Sequence, residues 1–146
     1  MKAADRVPGP AARVAGRRIV LVVDDSAALR QAVGGTLREA GYDVIEAGDG
    51  KEALGKLDGE RLHLVICDVN MPRMDGIAFV REMKKIAAYR FTPVIMLTTV
   101  GSEAKKVEGQ IAGAKAWVVK PFRPAQVLAA VARLMPPASI RKSEPS

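Results

Sequence analysis

Short apolar runs alternate with helical patterns along most of this chain. The runs recur about every 20 to 25 residues, at 19–23, 42–45, 64–67, 94–97 and 117–119. Four of them are continuously apolar and rich in β-branched residues, as in strands that are buried on both faces of a parallel sheet. The second run alternates polar and apolar residues, which predicts an edge strand. The pattern is typical of repeated βα units and favours an α/β fold.

Helix signals lie between these runs. Ser26 is placed to cap a first helix, which Gly41 would end. The inward face of that helix is marked by a helical spacing of Leu29, Val33 and Leu37. A short second helix is predicted at residues 52–57.

Three more helices are predicted. The third begins near Gly76 and would bury Phe79, Val80, Met83 and Ile86. The fourth is capped by Ser102 and ended by Gly113, and its expected inward residues are Ala104, Val107 and Ile111. Pro124 opens the fifth, whose expected inward residues are Val127, Leu128, Val131 and Leu134. Five strands and five helices in alternation predict an open, doubly wound sandwich with right-handed crossovers.

Length and composition fit one domain. The chain has 146 residues, of which 49% are hydrophobic, and Cys67 is its only cysteine. A disulfide framework within one chain is therefore excluded. No apolar run approaches the roughly 18 residues that span a bilayer, and the first 18 residues lack the apolar stretch of a secretory signal. We therefore expect a cytoplasmic protein without a membrane segment.

The net charge of +7 lies mostly at the termini. Residues 1–18 contain five basic residues and one acidic residue, whereas residues 19–135 contain sixteen basic and fourteen acidic residues. We interpret residues 1–18 as a disordered basic leader, 136–146 as a disordered tail, and 19–135 as the folded domain. The leader has no interleaved aromatic residues and no binding motif, so nucleic-acid binding is the less favoured interpretation of its charge.

Polar residues follow four of the five predicted strands. They are Asp24 and Asp25 after the first strand, Asp68 after the third, Thr98 and Thr99 after the fourth, and Lys120 after the fifth. In doubly wound folds these strand ends share one edge, which carries the site. Clustered carboxylates repel one another unless a cation intervenes, and Mg²⁺ prefers such oxygen ligands. A carboxylate can also be the nucleophile toward phosphorus, assisted by a metal, a second cation and a hydroxyl donor.

Four segments in this order carry a family resemblance. They are residues 22–26, 68–76, 97–99 and 118–122, which read VVDDS, DVNMPRMDG, LTT and VVKPF. The chain resembles the receiver domain of two-component response regulators, and specifically the stand-alone, CheY-type chemotaxis regulators. The resemblance covers about residues 18–135 and implies a flavodoxin-like sheet with strand order 2-1-3-4-5, the order of the family.

The resemblance implies roles for the residues at the strand ends. Asp68 would accept a phosphoryl group from a histidine kinase. Asp24 and Asp25 would hold Mg²⁺, with Asp68 and the backbone carbonyl of Asn70 completing the protein ligands.

Further roles implied by the resemblance concern the switch. Thr98 would bond a phosphoryl oxygen after activation, and Lys120 would pair with another. The Lys120–Pro121 peptide bond is expected to be cis, and Trp117 occupies the position of the family's aromatic switch. Trp117 replaces the usual Tyr or Phe, which puts the usual inward swing of that ring in question. Val100 stands at a position that tunes phosphoryl lifetime in the family, so we hypothesise that Asn70 and Val100 set that lifetime.

The preferred function is therefore a phosphorylation-operated switch with no output domain. It would not be an enzyme beyond self-catalysed phosphoacceptance and autodephosphorylation. Its expected partners are a histidine kinase, a flagellar motor switch protein or another protein target, and a phosphatase. The target would bind the surface of the fourth helix, fifth strand and fifth helix, which carries Lys106, Lys115, Trp117 and Arg123.

Alternatives are a phosphate sink or adaptor receiver in a relay outside chemotaxis, a Mg²⁺-dependent aspartyl phosphatase, and a nucleic-acid binder that uses the leader. The phosphatase would need a substrate pocket, for which the short loops leave little room.

Other residues favour structural interpretations. Cys67 is expected in the core with its side chain pointing away from the site. His63, the only histidine, is expected to be neither ligand nor base. Gly34 and Gly35 inside the first helix would each cost about 1 kcal/mol relative to Ala, which the sequence does not explain.

Overall fold

The computed structural model describes residues 18–99 and 103–135. In these residues five parallel strands form one sheet in the order β2-β1-β3-β4-β5. The strands are β1 Ile19–Val23, β2 Asp43–Ala47, β3 Leu64–Asp68, β4 Val94–Thr99 and β5 Ala116–Lys120. The predicted leader up to residue 17, the tail 136–146, Val100 and Ser102 lie outside the described residues. The predicted fold class and strand order are confirmed.

Five α-helices connect and follow the strands in the described ranges. They are α1 Ala27–Glu39, α2 Gly50–Gly55, α3 Gly76–Lys84, α4 Glu103–Ala112 and α5 Pro124–Leu134, with a short 3₁₀ turn at Ala87–Tyr89 before β4. The Ser26 side chain accepts a hydrogen bond from the Leu29 N–H at 3.2 Å and so caps α1 as predicted. The second helix begins earlier than predicted, because Asp49 caps it through the Glu52 N–H. Gly41 and Gly113 end α1 and α4 with positive φ angles of 102° and 122°.

Each face of the sheet has its own hydrophobic core. Side chains at alternate positions of a strand point to opposite faces, so Leu21 and Val23 pack on one side and Val20 and Val22 on the other. The first core includes Phe79 of α3, and the second includes residues of α1 and α5. Each fully buried aliphatic or aromatic side chain contributes about 1.5–3 kcal/mol. Rigid packing on both faces holds the strand ends in a constant relation to one another.

The prediction that the last strand is buried on both faces is wrong. β5 lies at the sheet edge opposite β2, and Val119 is 47% exposed. β2 lies at the other edge, as predicted. Ile86 and Leu134, which were expected to be buried, are each 38% exposed. Ile86 lies between α3 and the 3₁₀ turn, and Leu134 is the last residue of α5.

The predicted inward face of α4 is also wrong. Val107 is 55% exposed and Ile111 is 78% exposed, whereas Gly109 is buried. A Cβ added to Gly109 would lie 2.2 Å from Cη2 of Trp117, so the indole ring occupies the space that a side chain would fill. The indole ring of Trp117 on edge strand β5 therefore determines which face of α4 packs inward, and the apolar spacing of the helix does not. The Ala104 side chain lies outside the description.

Within the described ranges, no helix combines the length and the apolar character needed to cross a membrane.

Candidate functional site

Three carboxylates meet at the carboxyl ends of β1 and β3. Asp24, Asp25 and Asp68 each offer an oxygen, and these oxygens lie within 4.8 Å of one another. Asp24 and Asp68 are buried, whereas Asp25 is exposed. The structure thus brings together all three acidic residues that the sequence placed at strand ends.

Hydrogen bonds hold Asp24 at three of its polar groups. Its N–H donates to the carbonyl of Ala47 at 3.1 Å, its carbonyl accepts from Nη1 of Arg30 at 2.6 Å, and its Oδ1 accepts from the Ser26 N–H at 2.9 Å. The remaining oxygen, Oδ2, is buried and has no hydrogen-bond partner in the part of the chain that the structure describes.

The electrostatics of Asp24 suit a cation-binding site. Burial raises the pKa of Asp24, the Ser26 N–H opposes this rise, and the nearby charge of Asp68 adds to it. A buried carboxylate oxygen without a partner, beside two further carboxylates, fits the oxygen ligands that Mg²⁺ prefers. The described residues therefore fit a hard divalent cation held by Asp24, Asp25 and Asp68.

Lys120 adds one positive charge to this cluster from the end of β5. Its Nζ lies 2.8 Å from Oδ2 of Asp68 and 3.8 Å from Oδ2 of Asp24. Burial alone would lower the pKa of Lys120, but the hydrogen bond and the charge of Asp68 outweigh it and the pKa is raised. The ammonium therefore stays protonated against Asp68. The Lys120–Pro121 peptide bond that follows is cis.

The loop after β3 is folded closely around Asp68. The Asn70 N–H donates to Oδ1 of Asp68 at 3.2 Å, and the Gly76 N–H donates to the carbonyl of Val69 at 2.9 Å. A Cβ on Gly76 would lie 2.1 Å from the Asp68 carbonyl oxygen, so only glycine allows α3 to begin this close to the strand end. Asp75 caps α3 by accepting from the Ala78 N–H at 2.8 Å. The loop thus keeps the Asp68 carboxylate at the edge of the sheet.

The remaining predicted site residues lie near this edge or outside the described chain. Thr98 is buried near the end of β4, with its hydroxyl 3.5 Å from the carbonyl of Thr99. Trp117 is half-buried on β5, beside Met96 of β4, with its ring toward α4. Val100 lies outside the described residues. The roles given to Thr98, Trp117, Asn70 and Val100 stay predictions.

Two ion pairs around the site were missed by sequence reasoning. Arg30 of α1 contacts Glu46 of β2 through its Nε at 3.1 Å, and Arg73, which has a positive φ of 69°, pairs with Asp49. The hydrogen bond from the Glu52 N–H and the pairing with Arg73 lower the pKa of Asp49. The sequence offered one signal for the first pair, the polar residue Glu46 in the alternating second strand. It offered none for the arginines, because an arginine at such a position is usually solvated.

Cys67 and His63 lie outside the acidic cluster. Cys67 is fully buried, burial raises the pKa of its thiol well above the usual range, and Sγ donates to the Asp68 carbonyl at 3.4 Å. His63 accepts a hydrogen bond from the Ile19 N–H through Nδ1 at 3.0 Å, at the opposite end of the sheet. Burial and the charges of Arg61 and Arg18 lower the pKa of His63 to about 4, so the ring is neutral.

Comparison with curated proteins finds relatives of two lengths. The chain is 41% identical to chemotaxis protein CheY1 of Helicobacter pylori over 111 residues, which cover 75% of this chain and 89% of that protein. It is 35% identical to protein PilG of Pseudomonas aeruginosa, covering 80% of this chain and 87% of that protein. It is 38% identical to the probable transcriptional regulator ycf27 of Cyanophora paradoxa, but spans only 48% of that longer protein.

Solved structures agree with these relatives. Chemotaxis protein CheY4 of Vibrio cholerae superposes with a TM-score of 0.77 at 47% identity, covering 81% of this chain and 98% of that chain. The family model described as response regulator receiver domain matches residues 20–132. With its sheet order, its three clustered aspartates and this match over most of its length, the chain belongs to the response regulator receiver domain family.

Proposed function

We propose that the protein is a phosphorylation-operated response regulator in which Asp68 accepts a phosphoryl group from a histidine kinase in a Mg²⁺-dependent reaction. The observation that carries the proposal is the position of the Asp68 carboxylate, which pairs with the Lys120 ammonium and lies in one cluster with the other two aspartates. Each surrounding group matches a need of phosphoryl transfer. The protein must position the acceptor and balance charge on the equatorial oxygens, with little covalent chemistry of its own.

Asp24, Asp25, Asp68 and the carbonyl of Asn70 would hold the metal. When bound, Mg²⁺ supplies positive charge that neutralises the carboxylates and the phosphoryl oxygens. Lys120 supplies the second positive charge, 2.8 Å from Oδ2 of Asp68. The buried Oδ2 of Asp24 supports this assignment, because it accepts no hydrogen bond from the described residues and has the Lys120 ammonium only at 3.8 Å.

In the transfer step an oxygen of Asp68 attacks phosphorus. The phosphorus–nitrogen bond of the donor phosphohistidine breaks, and its electron pair leaves with the imidazole, which then takes up a proton. The product is an aspartyl phosphate. Water later hydrolyses it, which returns Asp68 to the free carboxylate and resets the switch. The chemistry is self-catalysed phosphoacceptance and autodephosphorylation, so the protein is a switch rather than an enzyme acting on other substrates.

Phosphorylation adds about −1.5 to −2 charges at Asp68. Thr98 and Lys120 would move to meet the new oxygens, and the surface of α4, β5 and α5 would change shape. Exposed apolar side chains on that surface, at Val107, Ile111 and Val119, support partner binding there. The similarity to proteins named for chemotaxis favours a cytoplasmic protein that binds a flagellar motor switch protein and is reset by a phosphatase.

A second candidate is a phosphate sink or adaptor receiver in another relay. The observation in its favour is the similarity to receiver domains of transcriptional regulators, at about the same identity as to the chemotaxis proteins.

The test is intact-mass spectrometry after incubation with acetyl phosphate and Mg²⁺. We expect the mass of one added phosphoryl group, which disappears in EDTA and in Asp68→Asn. Asp58→Asn is the matched control, since it removes an exposed carboxylate and should retain the shift. A shift that survives in Asp68→Asn, or no shift in the unmodified protein, would overturn the proposal.

A further inference from the structure

Arg30 contacts the acidic site through the backbone of Asp24 and not through its carboxylate. Its Nη1 donates to the Asp24 carbonyl at 2.6 Å, and its Nε donates to Oε1 of Glu46 at 3.1 Å. The Arg30 side chain is 19% exposed and the Glu46 side chain 24% exposed, so solvent screens this pair only partly. The planar guanidinium thus bridges edge strand β2 and the residue that ends β1.

Glu46 is itself held in place. Its second oxygen, Oε2, accepts from Nη2 of Arg38 at 3.2 Å. A Cβ on Gly34 would lie 3.3 Å from that same oxygen, which is tighter than ordinary contact. Gly34 therefore makes room in α1 for the Glu46 carboxylate, which accounts for a helix glycine that the sequence left unexplained.

We infer that Arg30 is a positioning residue for the metal site, which holds the Asp24 backbone so that Oδ2 stays aimed into the acidic cluster. The Asp24 N–H and Oδ1 are bound by Ala47 and Ser26, and Arg30 supplies the third restraint, at the carbonyl. Without it, Asp24 can rotate and its carboxylate can turn from the cluster toward solvent. The inference rests on the proposed function, because it assumes that the cluster binds Mg²⁺.

The sign of the effect separates positioning from simple electrostatics. Arg30 is a positive charge close to the cluster, so its removal should tighten Mg²⁺ binding if charge alone matters. If Arg30 positions Asp24, its removal should weaken binding despite the lost repulsion. Residues that orient metal ligands from outside typically change metal affinity by about 10- to 100-fold when mutated.

The experiment is isothermal titration calorimetry of the full chain with MgCl₂, without phosphodonor. Arg30→Met keeps the aliphatic stem but removes both hydrogen bonds, and we expect a Kd at least about tenfold weaker. Arg38→Met is the matched control, because it removes a positive charge from the same Glu46 carboxylate without touching Asp24, and its Kd should stay within about twofold of the unmodified value. Arg30→Lys keeps the charge but can reach only one of the two acceptors, so it should give an intermediate Kd. It is the second test of the inference if the methionine variant does not fold.

Four outcomes are distinguishable. If the unmodified chain binds Mg²⁺ and Arg30→Met binds it as well or more tightly, the inference is wrong and the proposed function is unaffected. If Arg38→Met weakens binding as much as Arg30→Met, the effect belongs to the charge network and the inference is also wrong. If the unmodified chain binds no Mg²⁺, the proposed metal site is wrong, and the inference that rests on it is wrong too. A tenfold loss confined to Arg30→Met, with thermal unfolding in EDTA close to that of Arg38→Met, supports the inference.

Discussion

At the residue scale, Asp24 shows the conflict between stability and function most directly. Its carboxylate is fully buried, and one oxygen has no hydrogen-bond partner among the described residues. Burial of a charge is unfavourable even with the Lys120 ammonium 3.8 Å from this oxygen, and it raises the pKa of Asp24. The folded state without metal is therefore strained by this residue, and a bound cation would relieve that strain.

We expect Asp24→Asn to increase the free energy of unfolding at pH 7 without divalent ions by about 1 kcal/mol. Because the folded pKa is raised, the stability that Asp24 contributes is fully present below its unfolded pKa near 3.8 and is lost as the pH rises through the folded pKa. The advantage of asparagine should therefore be largest at neutral pH and vanish as the pH falls toward 3.8. Urea denaturation at several pH values measures the difference.

The same variant should lose the stabilisation that MgCl₂ gives the unmodified protein. Asp58→Asn serves as the control, because its carboxylate is exposed and it should respond to MgCl₂ like the unmodified protein. If Asp24→Asn were less stable than the unmodified chain at pH 7 in EDTA, the assigned strain would be wrong.

At the element scale, α4 is the helix that sequence periodicity described least well. Its apolar spacing predicted Val107 and Ile111 inside, but both are exposed. The four other strands and most inward residues of α1, α3 and α5 were predictable, because their apolar patterns match the cores against which they pack. The face of α4 depends on the ring of Trp117, which is eight residues away in sequence and packs on Gly109. A contact of that kind is set by tertiary packing and leaves no periodic signal.

We expect Gly109→Ala to destabilise the protein by about 1–2 kcal/mol, although alanine is the better helix former by about 1 kcal/mol. The added Cβ would lie 2.2 Å from Cη2 of Trp117, so the ring or the helix must move. Trp117 is the only tryptophan, so its emission reports the displacement and should shift to longer wavelength as the ring becomes more exposed. Thermal unfolding and fluorescence spectra measure the two effects.

Gly35→Ala is the matched control, because a Cβ added there would meet no atom within 4 Å beyond its chain neighbours and the nearby backbone of α1. It should stabilise the protein by about 1 kcal/mol and leave the emission unchanged. Combining Gly109→Ala with Trp117→Phe should restore stability in part, since the smaller ring leaves room for the methyl group. Stabilisation by Gly109→Ala alone would contradict the packing described here.

At the scale of the whole molecule, the two ends of the sheet have different tasks. The carboxyl ends of the strands carry the clustered charges. Sequence motifs predicted Asp24, Asp25, Asp68 and Lys120 because they stand at the ends of apolar runs. The contacts of Arg30, Glu46 and Arg73 could not be predicted, since they depend on which elements become neighbours and on side-chain reach. The opposite end carries structural contacts, among them His63, which joins the start of β3 to the start of β1.

His63 should make the stability of the whole fold sensitive to acid. Its Nδ1 accepts the Ile19 N–H only when the ring is neutral, and its folded pKa is lowered to about 4 from a usual value of 6.5. Because the folded pKa is depressed, the unfolded chain binds the proton first, so stability is full above pH 6.5 and falls until about pH 4. After allowance for solvent screening of a partly exposed ring, we expect a loss of about 2 kcal/mol. Since His63 is the only histidine, proton NMR of its ring reports this titration alone, and a pKa near 6.5 in the folded protein would contradict the assignment.

His63→Asn, which can offer an amide oxygen to the same N–H without titrating, should flatten the dependence of urea denaturation on pH between 6.5 and 4.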